Sequence, residues 1–417
     1  MRKVIISGMI GNGLEWYDFA LYSYMALIIS KLFFPAGDDA AHLLATFGIF
    51  AVGFVARPFG GIFFGWLGDK FGRRTALVTA IFMMAVPTGC IGLLPTYAQI
   101  GIAAPILLTF IRLLQGLSLG GAFSGCITFL VEHAPPGRRG LIGSTTISSL
   151  VIGFLLGAVL ASLIKLPLSE AQYESWGWRI PFLLGIPIGF IGFYIRHHCD
   201  ESPVYTAAKQ EDSLSKAPVR DTLIHEWRHM LQAIGIYITV TMPFYLLTAY
   251  LLTFSEKNLG LLPQDALLIN TAVMLILFVM APFSAWLSDK IGRKKILITG
   301  AMAFFLGIYP VFLLLLKGDF RSVLLAQSAF ALLVGFYTGP VPTMLVEIFP
   351  TRVRYTGMAI SYNICAALFG GTTPMICQWI INQTGNAHAI AYYVMAASVV
   401  SLVSLYFYRD RYQDALV

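Results

Sequence analysis

The sequence predicts an all-α membrane protein, with twelve transmembrane helices arranged as two pseudo-symmetric six-helix bundles. Three observations carry this reading. Of 417 residues, 57% are apolar and only 12% are charged, where a soluble globular chain has about 45–50% and about 25%. Twelve apolar runs, separated by short polar breaks, are each long enough to cross a bilayer. Two charged segments recur at about half the chain length. Twelve spans of ~20 residues need ~240 residues, and the apolar fraction supplies about that number.

The runs fall at roughly 4–33, 43–67, 75–95, 103–131, 141–164, 178–196, 230–254, 266–288, 296–316, 322–347, 356–381 and 388–408. None shows the period-two alternation of a barrel strand. The first follows Arg2 and Lys3. It is too long for a leader's apolar region and has no A-x-A site, so it is expected to be the first spanning helix. The longest polar stretch, 197–229, divides six runs from six. The expected domains are therefore 1–196, a linker over 197–229 with one short amphipathic helix, and 230–417.

Charge sets the expected orientation. With the N-terminus inside, 20 of the 28 Lys and Arg fall in inner segments and 6 in outer ones; Arg57 and Arg112 lie within runs. That bias places both termini in the cytoplasm of a multi-pass protein of a cell membrane, the bacterial inner membrane. The net charge of +7 is thus a topology signal, and no nucleic-acid partner is expected. Four of the five Cys lie in apolar segments and read as small packing residues.

The halves repeat. Residues 65–74 read GWLGDKFGRR and 285–294 read AWLSDKIGRK; 128–132 read TFLVE and 343–347 read TMLVE. Parallel halves related by an axis along the membrane normal mark a transporter architecture whose site lies near mid-bilayer.

At these residues the chain resembles the major facilitator superfamily. GWLGDKFGRR is similar to its loop 2–3 signature, and RLLQGLSLGG (112–121) to its helix-4 signature. GNGLEWYDF (11–19), ARPFGG (56–61), WGWRIPF (176–182) and DESP (200–203) narrow the resemblance to the metabolite:proton symporters, with proline/betaine carriers nearest. It implies the major facilitator fold, alternating access and proton-coupled uptake. Two features depart from the pattern. Many of these symporters have Glu after the helix-4 Gly-Gly, where this chain has Ala122. The sequence ends at Val417 without the heptads of an osmosensing tail, so osmotic regulation is not carried over.

Chemistry is expected where charge sits inside apolar runs. Glu15 and Asp18 lie mid-run, where each buried charge costs at least ~2.5–3.5 kcal/mol on the insertion scale. Asn12, Glu15, Asp18 and Tyr22 share one helical face. The carboxylates are the candidate proton-coupling groups; a fixed ion pair locking helix 1 is the structural alternative. Arg57 and Arg112 are the candidate partners of a substrate carboxylate, which a guanidinium fork can hold by both oxygens. For Arg57 structural pairing is the stronger expectation. The second half offers neutral and aromatic groups instead: Tyr237, Thr241, Tyr245, Tyr337, Tyr362 and Asn363. Aromatic faces suit quaternary ammonium groups, although such stripes also simply pack helices.

The repeated loop charges read as a gating latch: Asp69, Arg73, Arg74, Glu132 and Arg138 in the first half, Asp289, Arg293, Glu347 and Arg352 in the second. Arg139 and Arg354 are further members of the same relay. Asp69 is expected to bond a neighbouring helix end. No cofactor is expected, and no metal site. His197 and His198 have no supporting His or Cys set. The sequence holds neither a Walker A loop nor a nucleophile–base constellation, so an enzyme is not expected. The function expected is secondary active transport: proton symport of a small organic substrate bearing a carboxylate, a zwitterion such as proline or betaine, by a monomer in the lipid bilayer. The alternatives are a di- or tricarboxylate (oxoglutarate, citrate) or shikimate symporter, an exporter or uniporter, and a non-transporting receptor.

Overall fold

The computed structural model describes residues 1–35 and 39–416, leaving aside the side chains of residues 39–48, 50 and 51. Among the described residues there is no strand, and the twelve apolar runs map onto twelve helical spans. In chain order these are α1 (Arg2–Tyr24, resuming as Ala26–Phe33), α2 (Asp39–Phe71), α3 (Arg73–Leu93), α4 (Ala103–His133), α5 (Arg139–Lys165) and α6 (Glu170–His197). The second six are α7 (Trp227–Lys257), α8 (Pro263–Ile291), α9 (Arg293–Leu315), α10 (Phe320–Ile348), α11 (Thr351–Thr384) and α12 (Ala389–Phe407). Ten of them, α3 to α12, are long and apolar enough to cross a membrane by length and composition.

The helices outrun the hydropathy runs where charge begins. The second run ends at 67, yet α2 continues through Asp69 and Lys70 to Phe71. Backbone hydrogen bonds propagate through charged residues as well as apolar ones. What ends α2 is Gly72, whose φ of 110° carries the chain straight into α3; Gly292 does the same between α8 and α9 at 101°. That left-handed backbone favours glycine.

The contacts define two compact units. The first comprises Met1–His133, Ser149–Val219 and Thr351–Ala359; the second comprises Ala134–Ser148, Arg220–Pro350 and Ile360–Val417. The division falls inside the expected linker, but two short segments leave their own half of the chain. The reason is local hydrogen bonding. The first turn of α11 presents backbone N–H groups to Asp69, and the first turn of α5 presents them to Asp289.

Within the first unit α2 packs along α4 and α3 along α6; within the second, α8 packs along α10 and α9 along α12. The same pairs recur six helices on, as a duplicated bundle requires. The first unit's core gathers Leu14, Tyr17, Leu21, Phe33, Trp178 and Phe182. Tyr17 donates its hydroxyl to the Pro181 carbonyl at 2.6 Å, tying α1 to α6.

Candidate functional site

The first unit encloses a charged cluster around Asp18. Arg112 Nη1 donates to Asp18 Oδ2 at 2.7 Å. Gln115 Nε2 donates to Oδ1 at 2.8 Å, and Thr88 Oγ1 donates to the same oxygen at 2.9 Å. Gln115 Nε2 also lies 2.8 Å from Thr88 Oγ1. One residue of α1 is thus held by α3 and by two residues of α4. Arg112 and Gln115 reach the same carboxylate because positions three apart share a helix face. The Arg112 guanidinium stacks over the Tyr22 ring, 3.8 Å from its centroid. That places two of the four sequence-expected residues of the α1 face, Asp18 and Tyr22, on one guanidinium.

Arg112 is only partly used. Its Nε and Nη2 have no hydrogen-bond partner among the described residues. Those two atoms form one edge of the fork, the geometry that binds both oxygens of a carboxylate. A buried donor without a partner costs about 1–3 kcal/mol, more when charged. A hydrogen-bond acceptor on that edge removes the cost, and an anion does so most strongly.

Glu15 stands differently. It is 1% exposed, and neither carboxyl oxygen has a hydrogen-bond partner among the described residues. Asn12, on the same face, donates from Nδ2 to Ser149 Oγ of α5 at 2.8 Å. Arg57 is buried, with its guanidinium carbon 5.5 Å from the Phe54 ring centroid.

In the second unit the expected residues cluster without charge. The Tyr237 and Tyr362 rings meet edge to face at 5.2 Å. Thr241 Oγ1 lies 3.8 Å from Cys365 Sγ. Tyr245 and Thr241 pack against Gly370. Both α7 and α11 carry a five-residue π-helical segment here, at Leu246–Tyr250 and Ala366–Gly370. Such wide turns often mark functional sites. Asn363 is fully buried. Tyr337 is set apart: its hydroxyl donates to the Ile236 carbonyl at 2.9 Å, and its ring packs on Phe304.

The loop signatures form two matching clusters. In the first unit Asp69 Oδ1 accepts from Arg73 at 2.6 Å, and the Asp69 carboxylate accepts from the Tyr355 and Thr356 backbone N–H groups at 3.2 and 2.8 Å. Arg73 also meets Glu132 at 3.3 Å, and Arg354 Nη1 donates to Glu132 at 2.8 Å. In the second unit Asp289 meets Arg293 at 2.7 Å and accepts from Gly140 and Leu141 N–H at 2.8 and 2.9 Å; Arg293 meets Glu347 at 3.3 Å. Asp69 and Asp289 thus accept at the N-termini of α11 and α5, where the helix dipole favours an anion. Arg138 and Arg352 are exposed, whereas their neighbours Arg139 and Arg354 are buried. Glu132 therefore pairs with Arg354 rather than with the arginines that follow it in sequence. Arg74 sits beside these contacts, its side chain donating to the His197 carbonyl and its backbone N–H to Glu201 at 3.1 Å.

Three groups escaped the sequence reading. Gln115 was readable as a partner, since it lies three residues after Arg112. Thr88 had no signal, because its pairing is tertiary. Arg196 ends the sixth run and counts there as a topology charge, yet it is 2% exposed and turned inward. No group of three or more His, Cys, Asp or Glu side chains that could hold a metal occurs among the described residues.

The family model described as "Sugar (and other) transporter" matches residues 4–234 and 230–410. The glycine betaine/proline/ectoine/pipecolic acid transporter OusA of Dickeya dadantii is 34% identical, over 98% of this chain and 83% of its own length. The proline/betaine transporter of Escherichia coli is 35% identical over 97% of this chain and 82% of its own. The ectoine/proline transporter ProP of Corynebacterium glutamicum is 35% identical over 100% and 86%. Among solved structures, the major facilitator superfamily proton:xylose symporter XylE bound to 6-bromo-6-deoxy-D-glucose superposes with a TM-score of 0.81 at 18% identity, covering 99% of this chain and 97% of that one. At that identity the likeness is one of fold.

Proposed function

This chain belongs to the Sugar (and other) transporter family of major facilitators, and from that premise we propose that it is a proton-coupled symporter that takes a small zwitterion such as proline or betaine into the cell. It is a multi-pass membrane transporter, not an enzyme. The excess of inner over outer Lys and Arg supports a bacterial inner membrane with both termini in the cytoplasm. The substrates named for the relatives, glycine betaine, proline, ectoine and pipecolic acid, each combine one carboxylate with a cationic nitrogen.

The observation that carries the reading is Arg112, with one nitrogen bound to Asp18 and, beside it, an edge of two buried nitrogens that have no hydrogen-bond partner among the described residues. A substrate carboxylate on that edge would share one guanidinium with the Asp18 carboxylate. Two like charges at one cation repel, and a proton on Asp18 removes the repulsion. Substrate binding therefore favours protonation of Asp18, and protonation favours substrate binding by the same factor. That reciprocity, typically about 1–3 kcal/mol or 5–150-fold, is symport in thermodynamic form. A neutral Asp18 also costs less to carry through a conformational change in a low dielectric. Within the second unit, the Tyr237–Tyr362 ring pair offers chemistry that suits a cationic nitrogen. Asp69, Arg73 and Glu132, with Asp289, Arg293 and Glu347, act as latches that open when the transporter changes state.

The test is transport in proteoliposomes with an acid exterior. Adding proline or glycine betaine should make the exterior more alkaline as protons enter. Asp18→Asn should keep substrate exchange and lose accumulation driven by the pH gradient. Accumulation at the wild-type level in that variant, or uptake with no proton movement, would end the reading.

A further inference from the structure

The symport reading needs one carboxylate, and the first unit buries two in opposite settings. Asp18 receives hydrogen bonds from Arg112, Gln115 and Thr88. Glu15, three residues earlier on α1, receives none at either oxygen among the described residues and is 1% exposed. An ionised carboxylate held in a dry interior without donors is expensive. A neutral carboxyl in the same place is far less so. When two carboxylates sit in environments that favour opposite charge states, their roles separate.

The surroundings of Glu15 give the proton somewhere to go. From α6, Arg196 crosses the gap that Gly11 leaves on α1; a Cβ at Gly11 would lie 2.5 Å from Arg196 Nη2. Arg196 donates from Nη1 to the Leu77 carbonyl at 3.2 Å and from Nη2 to the Gly8 carbonyl at 3.5 Å, and its Nε has no partner. Its charge is spent on carbonyls and not on a carboxylate. Arg57 from α2 and Arg196 are the cations whose field reaches Glu15. Cys126 of α4, bonded to the Gly8 carbonyl at 3.3 Å, is a further titratable neighbour beside Asp18 on α1 itself, and Tyr355 and Cys199 stand within the field of Arg196. From α3, Ile81 lies beside Gly11.

We propose that Glu15 is a second proton-carrying group, one helical turn to the cytoplasmic side of Asp18, that rests protonated, releases its proton on the side of Arg196 and is then reprotonated from Asp18. This deepens the symport reading and rests on it for the direction of flow. Positions i and i+3 on a helix stand about 5–6 Å apart at Cβ, a gap one water can bridge. The transfer is of a proton alone. In it the Asp18 carboxyl becomes a carboxylate that Arg112 already holds, and a Glu15 carboxylate that has already given its own proton to water becomes neutral again. While Glu15 is neutral, Arg57, Arg112 and Arg196 outnumber the single ionised acid. Loss of its proton to water is therefore favoured once water reaches Glu15 from the cytoplasm, and Arg196 has an anion to meet until Asp18 passes its proton on.

Infrared difference spectroscopy of the purified protein at neutral pH, followed by flux in proteoliposomes, tests this. The C=O stretch of a protonated buried carboxyl should be present in wild type and in Asp18→Asn, and reduced in Glu15→Gln. Glu15→Gln should keep exchange of proline or glycine betaine while its proton-driven accumulation falls tenfold or more. A band undiminished in Glu15→Gln, or accumulation at the wild-type level, overturns the proposal. If the Gln variant fails to fold, Glu15→Asp serves: the band should shift in frequency, and an unshifted band overturns it. The two readings fail separately. Uptake without protons in wild type defeats symport, whereas a band that Glu15→Gln removes still identifies Glu15 as the group holding a proton.

Discussion

Asp69, Arg73 and Glu132 in the first unit and Asp289, Arg293 and Glu347 in the second are near copies, with ion-pair distances of 2.6 and 3.3 Å against 2.7 and 3.3 Å. The chain that leaves each unit's last helix caps the helix after the glycine turn: Glu201 accepts from Arg74 N–H at 3.1 Å, and Asp410 accepts from Lys294 N–H at 2.9 Å. Midway along the helices the likeness stops. The offset of 215 that aligns TFLVE with TMLVE sets Arg112 against Gln327 and Gln115 against Phe330. Gln327 donates to Ser255 Oγ at 2.9 Å, a neutral bond where the first unit has an ion pair. Both units keep the charges that fasten helix ends. Only the first keeps charge at mid-depth, where burial is costly and chemistry has to justify it.

The copies still differ in one respect that mutation can magnify. Glu132 makes ion pairs with two arginines, Arg73 and Arg354, whereas among the described residues Glu347 makes one, with Arg293; Arg139 Nη1 donates to the Asp414 carbonyl and feels Glu347 at longer range. Removing one member of a buried pair costs about 3–5 kcal/mol because a charge is left unpaired. Glu132→Gln removes two direct ion pairs, whereas Glu347→Gln removes one direct pair and the longer-range attraction of Arg139. Thermal unfolding in detergent should therefore show a larger fall in Tm for Glu132→Gln. Equal falls would mean that the clusters are energetically as alike as their distances.

The second contrast is at mid-depth. Arg112→Lys keeps the charge but loses the two-pronged edge, and hydrogen bonds to charged groups are each worth about 1.5–3 kcal/mol. Apparent substrate affinity should fall about 10–100-fold. Gln327→Leu, at the matching place in the second unit, should leave affinity unchanged. Kinetics of proline and glycine betaine uptake read both. A comparable loss at Gln327 would show that the two units share the binding chemistry.

The fold was legible because lipid imposes it. Runs of apolar residues long enough to span have few alternatives, and the GWLGDKFGRR and AWLSDKIGRK repeats fixed the duplication. Asp18 and Arg112 were legible for the same reason, since charge in an apolar run is conspicuous. Arg196 was not, because a cation at the end of a run is what topology alone would place there. Only tertiary packing turns it inward to Gly8 and Leu77. The exchange of Arg138 for Arg139 and of Arg352 for Arg354 falls where helices begin: Arg138 precedes the first residue of α5, and Arg352 lies in a 3₁₀ turn before the α-helix that starts at Arg354. Neither periodicity nor charge says which of two nearby residues at a helix start faces inward. Thr88 and Gln115 show the limit from another side, since a neutral polar residue among apolar ones carries no mark of its partner.

The smallest expected effect sharpens the role of the second unit's aromatic residues. Tyr237 and Tyr362 meet edge to face beside the π-turns of α7 and α11. Tyr337 instead donates to the Ile236 carbonyl, from α10 to α7, and packs its ring on Phe304. Its hydroxyl is already committed to holding two helices together. Tyr337→Phe keeps the ring and deletes that bond, which is worth about 0.5–1.5 kcal/mol. The variant should lower Tm slightly and leave the affinity for glycine betaine as it was. Tyr237→Phe keeps the aromatic face and should preserve betaine affinity too, whereas Tyr237→Ala removes a ring and should weaken betaine binding. Loss of betaine affinity in Tyr337→Phe without loss of stability would move Tyr337 from the scaffold of the second unit into its binding chemistry.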